Sequence, residues 1–324
     1  MGSMLDDLHV SFNVFDKANS TVHDENQIFT LCIGPKSDRV TQLLARKVKI
    51  NGCAIVFFIE DFMNNWSVSI LDGIFSVIMH HHLYGNVRVL FSQIYFRSGT
   101  CSVDSRYYYL YHQLVAMIDL YKGKKISIPS QWDYNYSKLR QINEVLMPLL
   151  SDRVKVPRAY VVKGERAYLK LNKKNLVVKS LSSMRSDVVG YSVFSNWSFS
   201  HLRRMPCLFQ EAVLGCDVRV HMLQDVSVAH KIKKSSVNSF RYVAHPNHIK
   251  KTDIPDFLIS FCASVLEKEC SVFMGIDFLE SEDGSYYCFE ANPNPGWTAF
   301  LTVEPATEDP LFKAFGYVFL NDTF

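Results

Sequence analysis

No stretch of the 324 residues holds the ~20 consecutive apolar residues that a membrane-spanning helix requires. No basic segment followed by an apolar one opens the chain in the manner of a secretory signal. Together these absences predict a cytoplasmic protein with no membrane partner. Met1-Gly2-Ser3 ahead of Met4 reads as a cloning remnant and carries no structural expectation. The 8 cysteines, at 32, 53, 101, 207, 216, 262, 270 and 288, include no Cys-x-x-Cys pair and no Cys/His cluster of zinc spacing. They are expected to be reduced, partly buried small apolar residues. The run His80-His81-His82 does not change this, because consecutive side chains diverge on a helix or a strand and cannot readily share one ion; surface or helix-end histidines are expected. No glycine-rich fingerprint follows the first strand, and no ribonucleoprotein-type aromatic motif or helix-turn-helix spacing occurs, which argues against dinucleotide and nucleic-acid binding. There is no internal repeat and no low-complexity segment.

What is present is a chain with 48% hydrophobic residues, long enough for two or three lobes sharing one or two cores. Its net charge of +3 is unevenly spread. From Lys155 to Lys251 there are 18 Lys and Arg against 5 Asp and Glu, a local charge of +13 that leaves −10 elsewhere. A basic middle of this kind is either a solvated face or the seat of a polyanionic partner: nucleotide phosphates, an acidic peptide or nucleic acid.

Hydrophobic patterning predicts a β-α-β start, with strands in "IFTLCIG" (28–34) and "CAIVFFIED" (53–61) around a helix in "DRVTQLLARKVKING". "NVRVLFSQIYFR" (86–97) predicts a further strand region and "SRYYYLYHQLVAMIDLYKG" (105–123) a helix. Around Pro129 the polar, turn-forming residues mark a lobe boundary, followed by a helix in "SKLRQINEVLMPLL" with Ser137 as N-cap. Strands in "RAYVV", "NLVVKS", "CLFQEAV" and "DVRVHML", a helix over 253–270 and a closing hairpin complete an α+β chain with an α/β front end.

In "GIDFLESEDGSYYCFEANPNP" the dipeptide Asp283-Gly284 predicts a two-residue primed turn, and that turn sets Asp277 directly opposite Glu290. Two facing carboxylates repel, so either the hairpin is a solvated acidic one or a cation belongs between them. Asn292 shares the face of Glu290 and adds a third oxygen, while Pro293 and Pro295 stop the strand at an open end. An Asp, Glu, Asn set of hard oxygens suits Mg²⁺, which keeps positions for water and phosphate oxygens.

Other residues point to a nucleotide. Lys179 ends an apolar strand, where a buried ammonium would need an anion, and Lys138 lies in the first turn of a helix, where a cation is disfavoured unless an anion binds; taken alone, either reads as a surface residue. In "LFQEAVLGCDVRVHML", Gln210 and Glu211 form a polar pair before a turn whose backbone, through Ala212 and Val213, can bond a flat base. Asp217 can accept from ribose hydroxyls, and Arg219 and Arg241 can hold a phosphoryl group bidentately.

On "YNYSKLRQI", "VKVPRAYVV", "LVVKSLSS", "LFQEAVLGCDVRV" and "GIDFLESEDGSYYCFEANPNPGW", spanning about residues 129 to 305, the chain resembles the ATP-grasp superfamily of carboxylate ligases. Within it the resemblance is to the ribosomal-peptide maturases, the macrocyclases of microviridin-type (graspetide) peptides, which are similar to the ligase that adds glutamate to a ribosomal protein. "IYFRSG" (94–99) is similar to the end of that group's N-terminal lobe. The resemblance implies an ATP-grasp fold with an N-terminal α/β domain at 1–125, a central lobe at 126–205 and a C-terminal lobe with the metal site at 206–324. It implies ATP and Mg²⁺ as cofactors, with Lys138 and Lys179 on phosphates, Gln210 and Glu211 to Val213 at the adenine hinge, and Asp217 on the ribose. Arg219 and Arg241 would stabilise the transferring phosphoryl or acyl phosphate, and Asp277, Glu290 and Asn292 would hold the metal. The chain departs from the group at Ser239, where an acidic residue is usual, and at Asn294-Pro295-Gly296-Trp297, where Gly-Gln-Trp often follows Asn-Pro.

The function expected is ATP-dependent formation of an amide or ester through an acyl phosphate, on acidic side chains of a ribosomally made peptide. Its rivals are a ligase of free amino acids or small metabolites, a basic nucleic-acid-binding module, and a nucleotide-binding scaffold without catalysis. Partner expectations are an acidic peptide and no membrane, with a homodimer left open.

Overall fold

The computed structural model describes residues 30–47, 54–59, 67–71, 74–81, 85–91, 93–97, 107–121, 124–126, 138–164, 176–179, 181, 189–190, 206–233, 248–303 and 305–320. The chain divides into two compact units, one of residues 1–130, 271–273 and 293–324, the other of 131–270 and 274–292.

The first unit is built on a parallel sheet ordered Ala54–Phe58, Thr30–Gly34, Gln93–Phe96, Lys124–Ile126. Its three longer strands are mainly apolar runs, as a sheet covered on both faces requires, and Leu31, Cys32, Ile33, Ile94, Tyr95 and Phe96 are all buried. The helices Arg39–Lys47 and Tyr107–Leu120 occupy the segments predicted for them. The residues read as one strand region at 86–97 form two strands instead. Gly85–Phe91 joins Ile74–His81 and Ser67–Leu71 in an antiparallel sheet, while Gln93–Phe96 enters the parallel one. His80 and His81 therefore lie in a strand, not at a helix end.

The last part of the chain completes this unit's core. Trp297, Phe312, Phe315 and Phe319 are buried, with Phe315 stacked on Trp297 at 5.0 Å and edge-on to Tyr95 at 5.0 Å. Trp297 Nε1 donates to the Tyr95 hydroxyl at 3.1 Å, which satisfies both polar tips inside the apolar cluster. The Phe319 carbonyl accepts from Thr30 Oγ1 and Gln93 Nε2.

At the carboxyl ends of the parallel strands, buried Arg97 donates through Nε and Nη2 to the Asp38 carboxylate at 3.3 and 3.1 Å. Its Nη1 donates to Asn294 Oδ1 and, at 2.7 Å, to the Pro295 carbonyl. Asp38 in turn accepts from the Thr41 N–H at 2.8 Å at the start of Arg39–Lys47. The packing is close enough that a Cβ at Gly34 would run into Thr41 Oγ1 and the Arg97 Cβ.

Among the described residues, the second unit contains two sheets. One is antiparallel, ordered Val189–Gly190, Leu176–Lys179, Cys207–Glu211, Ala159–Val162. The other has six strands in the order Ile249–Thr252, Val226–Ile232, Cys216–Leu223, Phe273–Glu280, Tyr286–Asn292, Val154–Lys155. Helix Asp256–Lys268 presents Leu258, Phe261, Cys262 and Val265 at the i, i+3, i+4, i+7 spacing. They pack on Val218, Val220, Met274, Ile276, Phe278, Cys288 and Ala291. Leu258→Ala is expected to cost about 2–5 kcal/mol of unfolding free energy, measured by denaturant titration, because a fully buried side chain leaves a cavity. With its apolar face spent on this core, the sheet has a second face left for polar side chains. Among the described residues, no helix is long and apolar enough to cross a membrane.

Candidate active site

The hairpin of Phe273–Glu280 and Tyr286–Asn292 sets Asp277 opposite Glu290 and Gly275 opposite Asn292, in the register anticipated from the sequence, but not by the expected turn. The Gly284 N–H donates to the Ser281 carbonyl at 3.0 Å and the Ser281 N–H to the Ser285 carbonyl at 2.9 Å. Three residues, Glu282 to Gly284, thus close the loop, with Gly284 in the left-handed region at φ 76°. That is a type I turn finished by a left-handed glycine, not a two-residue primed turn. It pairs Glu280 with Tyr286, Leu279 with Tyr287 and Phe278 with Cys288, one residue out from the expected register. A β-bulge between Asp277 and Phe278 then inserts Phe289 and restores the register. The two irregularities cancel at Asp277.

The bulge also sets what the site displays. Cys288 and Ala291 belong to the apolar core, and the adjacent Phe289 and Glu290 both lie outside it, half-buried. Phe289 turns its ring to Lys179, whose Nζ sits 4.9 Å from the ring centroid. The same ammonium donates to Gln210 Oε1 at 2.7 Å. Gln210 is buried and follows from the antiparallel pairing of Leu176–Lys179 with Cys207–Glu211. Sequence reasoning missed Phe289, since its only signal was the bulge.

Asp277 and Arg219 form the centre. Arg219 Nη1 donates to the Gly275 carbonyl at 2.9 Å and to Asp277 Oδ2 at 3.0 Å. Burial pushes the Asp277 carboxyl up to about 6, against the pull of Arg219, and the charges of Glu290 and Asp217 add to the rise while Lys179 opposes it. Asp277 faces Glu290 across the hairpin and Asn292 lies two residues further on the same strand, so the site's chemistry fits a hard cation held by Asp277, Glu290 and Asn292. Among the described residues no group of three His, Cys, Asp or Glu could hold a metal, and this set is two carboxylates with an amide.

Asp217 shares a face with Arg219 at the two-residue period of Cys216–Leu223. At the hinge, the Glu211 N–H donates to the Arg158 carbonyl at 2.9 Å, so a base bound there would address Ala212 and Val213. Lys138 begins the helical turn Lys138–Arg140. Arg241 lies outside the described residues. The structure therefore brings Lys179, Gln210, Asp217, Arg219, Asp277, Glu290 and Asn292 into one unit, on two sheets. A flat aromatic ring beside an ammonium, next to a cation-fitting acidic pair and an anchored guanidinium, can take an anionic ligand with a planar group.

No family model and no curated protein matches the sequence. Solved structures do. The chain superposes on a RiPP-associated ATP-grasp ligase of Chryseobacterium gregarium, solved with ADP and a leader and core peptide, with a TM-score of 0.70 at 15% identity, covering 91% of this chain and 97% of that one. Against the macrocyclase MdnC of Microcystis aeruginosa MRC, bound with precursor peptide MdnA, the TM-score is 0.66 at 15% identity, covering 91% and 100%. The VanG D-Ala:D-Ser ligase of Enterococcus faecalis gives 0.54 at 14% identity, covering 87% and 96%. The α+β fold of the chain is the ATP-grasp fold.

Proposed function

We propose that this ATP-grasp chain is an ATP- and Mg²⁺-dependent carboxylate ligase acting on acidic side chains of a peptide. The observation that carries the proposal is the facing pair Asp277 and Glu290, with Arg219 anchored on Asp277. Three of the similar solved structures support the peptide: one is in complex with a leader and core peptide, one with a precursor peptide, and one with a minimal precursor. The basic middle of the chain favours an acidic one.

In this mechanism a substrate carboxylate attacks the γ-phosphate of ATP and gives an acyl phosphate, which an amine or hydroxyl captures to form an amide or ester. Lys138 and Lys179 bind phosphate oxygens. Phe289 stacks on the adenine, with Gln210 and the turn Glu211 to Val213 at its edge, and Asp217 accepts from the ribose. Asp277, Glu290 and Asn292 would hold Mg²⁺, whose contribution is to neutralise charge on the moving phosphoryl. Arg219 and, by the resemblance, Arg241 would stabilise the charge that develops during transfer, so catalysis is positioning and electrostatics.

Lys179→Ala is expected to weaken ATP binding roughly 10–100-fold, the loss of a charge-assisted contact, whereas Arg219→Ala keeps ATP affinity within a few fold and removes product. Calorimetric titration with ATP separates them, and equal affinity in both variants contradicts the assignment. For the substrate, intact-mass spectrometry on a panel of acidic peptides is expected to show a loss of one water per bond formed, with association weakening as salt rises. A gain in mass, peptide plus amino acid, would instead support the small-molecule ligase and overturn ring closure. A cytoplasmic location belongs to this proposal as an expectation of the same kind, and the oligomeric state is left open.

A further inference from the structure

The strand Cys216–Leu223 places His221 on the face of Asp217 and Arg219, and Arg219 lies directly opposite His230 on Val226–Ile232. Arg219, His221 and His230 are 6%, 0% and 1% exposed, a buried row of three polar side chains. The two rings stand edge-on at 6.2 Å. On one flank the guanidinium is fixed by the Gly275 carbonyl and Asp277 Oδ2. On the other flank stands His230, since residues directly opposite on neighbouring strands have Cβ atoms ~5 Å apart. Burial holds the His221 imidazole well below its ordinary pKa, and the charges of Arg219 and His230 add to the effect, so it stays neutral.

Imidazoles suit this place for a physical reason. A carboxylate opposite Arg219 would close an ion pair and cancel the field offered to an anion. An apolar side chain would leave a buried cation with no polar neighbour on that flank. An imidazole does neither. What stands on this flank matters most when Asp277 shares its oxygens with a cation, because its attraction for Arg219 then weakens.

We propose that His230, backed by His221, is a positioning residue for Arg219, keeping the guanidinium aimed at the carboxylate face while leaving its charge to the reacting group. This rests on the ligase reading, through the role given to Arg219. The test compares His230→Leu and His230→Gln in the full chain. It reads kcat and KM with ATP and an acidic peptide, and the Arg219 Nε–Hε resonance in ¹⁵N-arginine-labelled protein, identified by its loss in Arg219→Lys. His230→Leu is expected to lower kcat ~10–100-fold, the scale of a small misplacement, with KM for ATP within about twofold, and to collapse the resolved Arg219 resonance. His230→Gln, neutral and polar, is expected to restore kcat to within about threefold and to keep the resonance. Wild-type kcat in His230→Leu, or equal losses in both variants with the resonance unmoved, overturns the proposal. If His230→Leu does not fold, His221→Leu and His221→Gln give the same comparison. The expected resonance changes in a protein without ATP turnover on any acidic peptide would support the positioning and sink the ligase reading alone.

Discussion

Glu290→Ala is expected to lower Mg²⁺-dependent ADP formation roughly 10²–10³-fold, the scale of losing a fixed electrostatic partner of the transition state. Glu290 faces Asp277 across the hairpin, and both lie on the polar face of a sheet whose other face is a packed core. The substitution therefore removes charge from the site without opening a cavity in the core. Asp277→Asn is expected to do the same to turnover, because it removes the facing carboxylate and the ion-pair partner of Arg219. Steady-state ADP assays across a Mg²⁺ titration measure both. Full turnover with unchanged Mg²⁺ dependence in either variant would show the metal assignment to be wrong.

Arg97→Met is expected to destabilise the first unit by about 3–5 kcal/mol, the cost of leaving one member of a buried ion pair behind. Arg97 and Asp38 are paired at 3.1 Å and both are nearly inaccessible to water. Burial alone would raise the Asp38 carboxyl, but the charge and hydrogen bonds of Arg97, with those of Thr41, hold it below its ordinary value. A carboxyl depressed in the folded state contributes stability that is full above its unfolded pKa, ~3.9, and lost as pH falls through the lower folded value. In Arg97→Met burial raises the Asp38 carboxyl instead, so the variant regains stability as pH falls through that raised value, and wild type loses its own below ~3.9; the gap is therefore expected to be widest at neutral pH and to narrow steadily on acidification, in urea unfolding followed across pH. A gap that widened on acidification would contradict the pairing.

The alternation of side chains carried much of the second unit. Asp217, Arg219 and His221 share a face because a strand repeats every two residues, and the same rule put Asn292 beside Glu290. The facing of Asp277 and Glu290 was legible too, but only because a longer turn and a bulge offset each other. Neither irregularity has a composition signal of its own: Asp283-Gly284 serves both kinds of turn, and nothing in "YYCFEAN" marks Phe289 as the extra residue. The split of 86–97 into two strands was hidden for a different reason. Phe91 and Gln93 belong to strands of different sheets with one residue between them, and no Gly or Pro punctuates the change. The clamp of Arg97 on Asp38, Asn294 and Pro295 joins residues up to 198 apart in sequence, a distance over which local patterning carries no information. The closing segment that stacks Trp297 and Phe315 on Tyr95 belongs to the same class.

The central claim is that a peptide carboxylate takes the γ-phosphoryl of ATP in the site around Asp277, Glu290 and Arg219. It is tested most directly with an acidic peptide whose side-chain carboxyls carry ¹⁸O, by mass analysis of the inorganic phosphate released with ADP and Mg²⁺ present. Capture of an acyl phosphate leaves one carboxyl oxygen on the departing phosphate, so one ¹⁸O per bond formed is the predicted result. Product accompanied by phosphate free of ¹⁸O would contradict it.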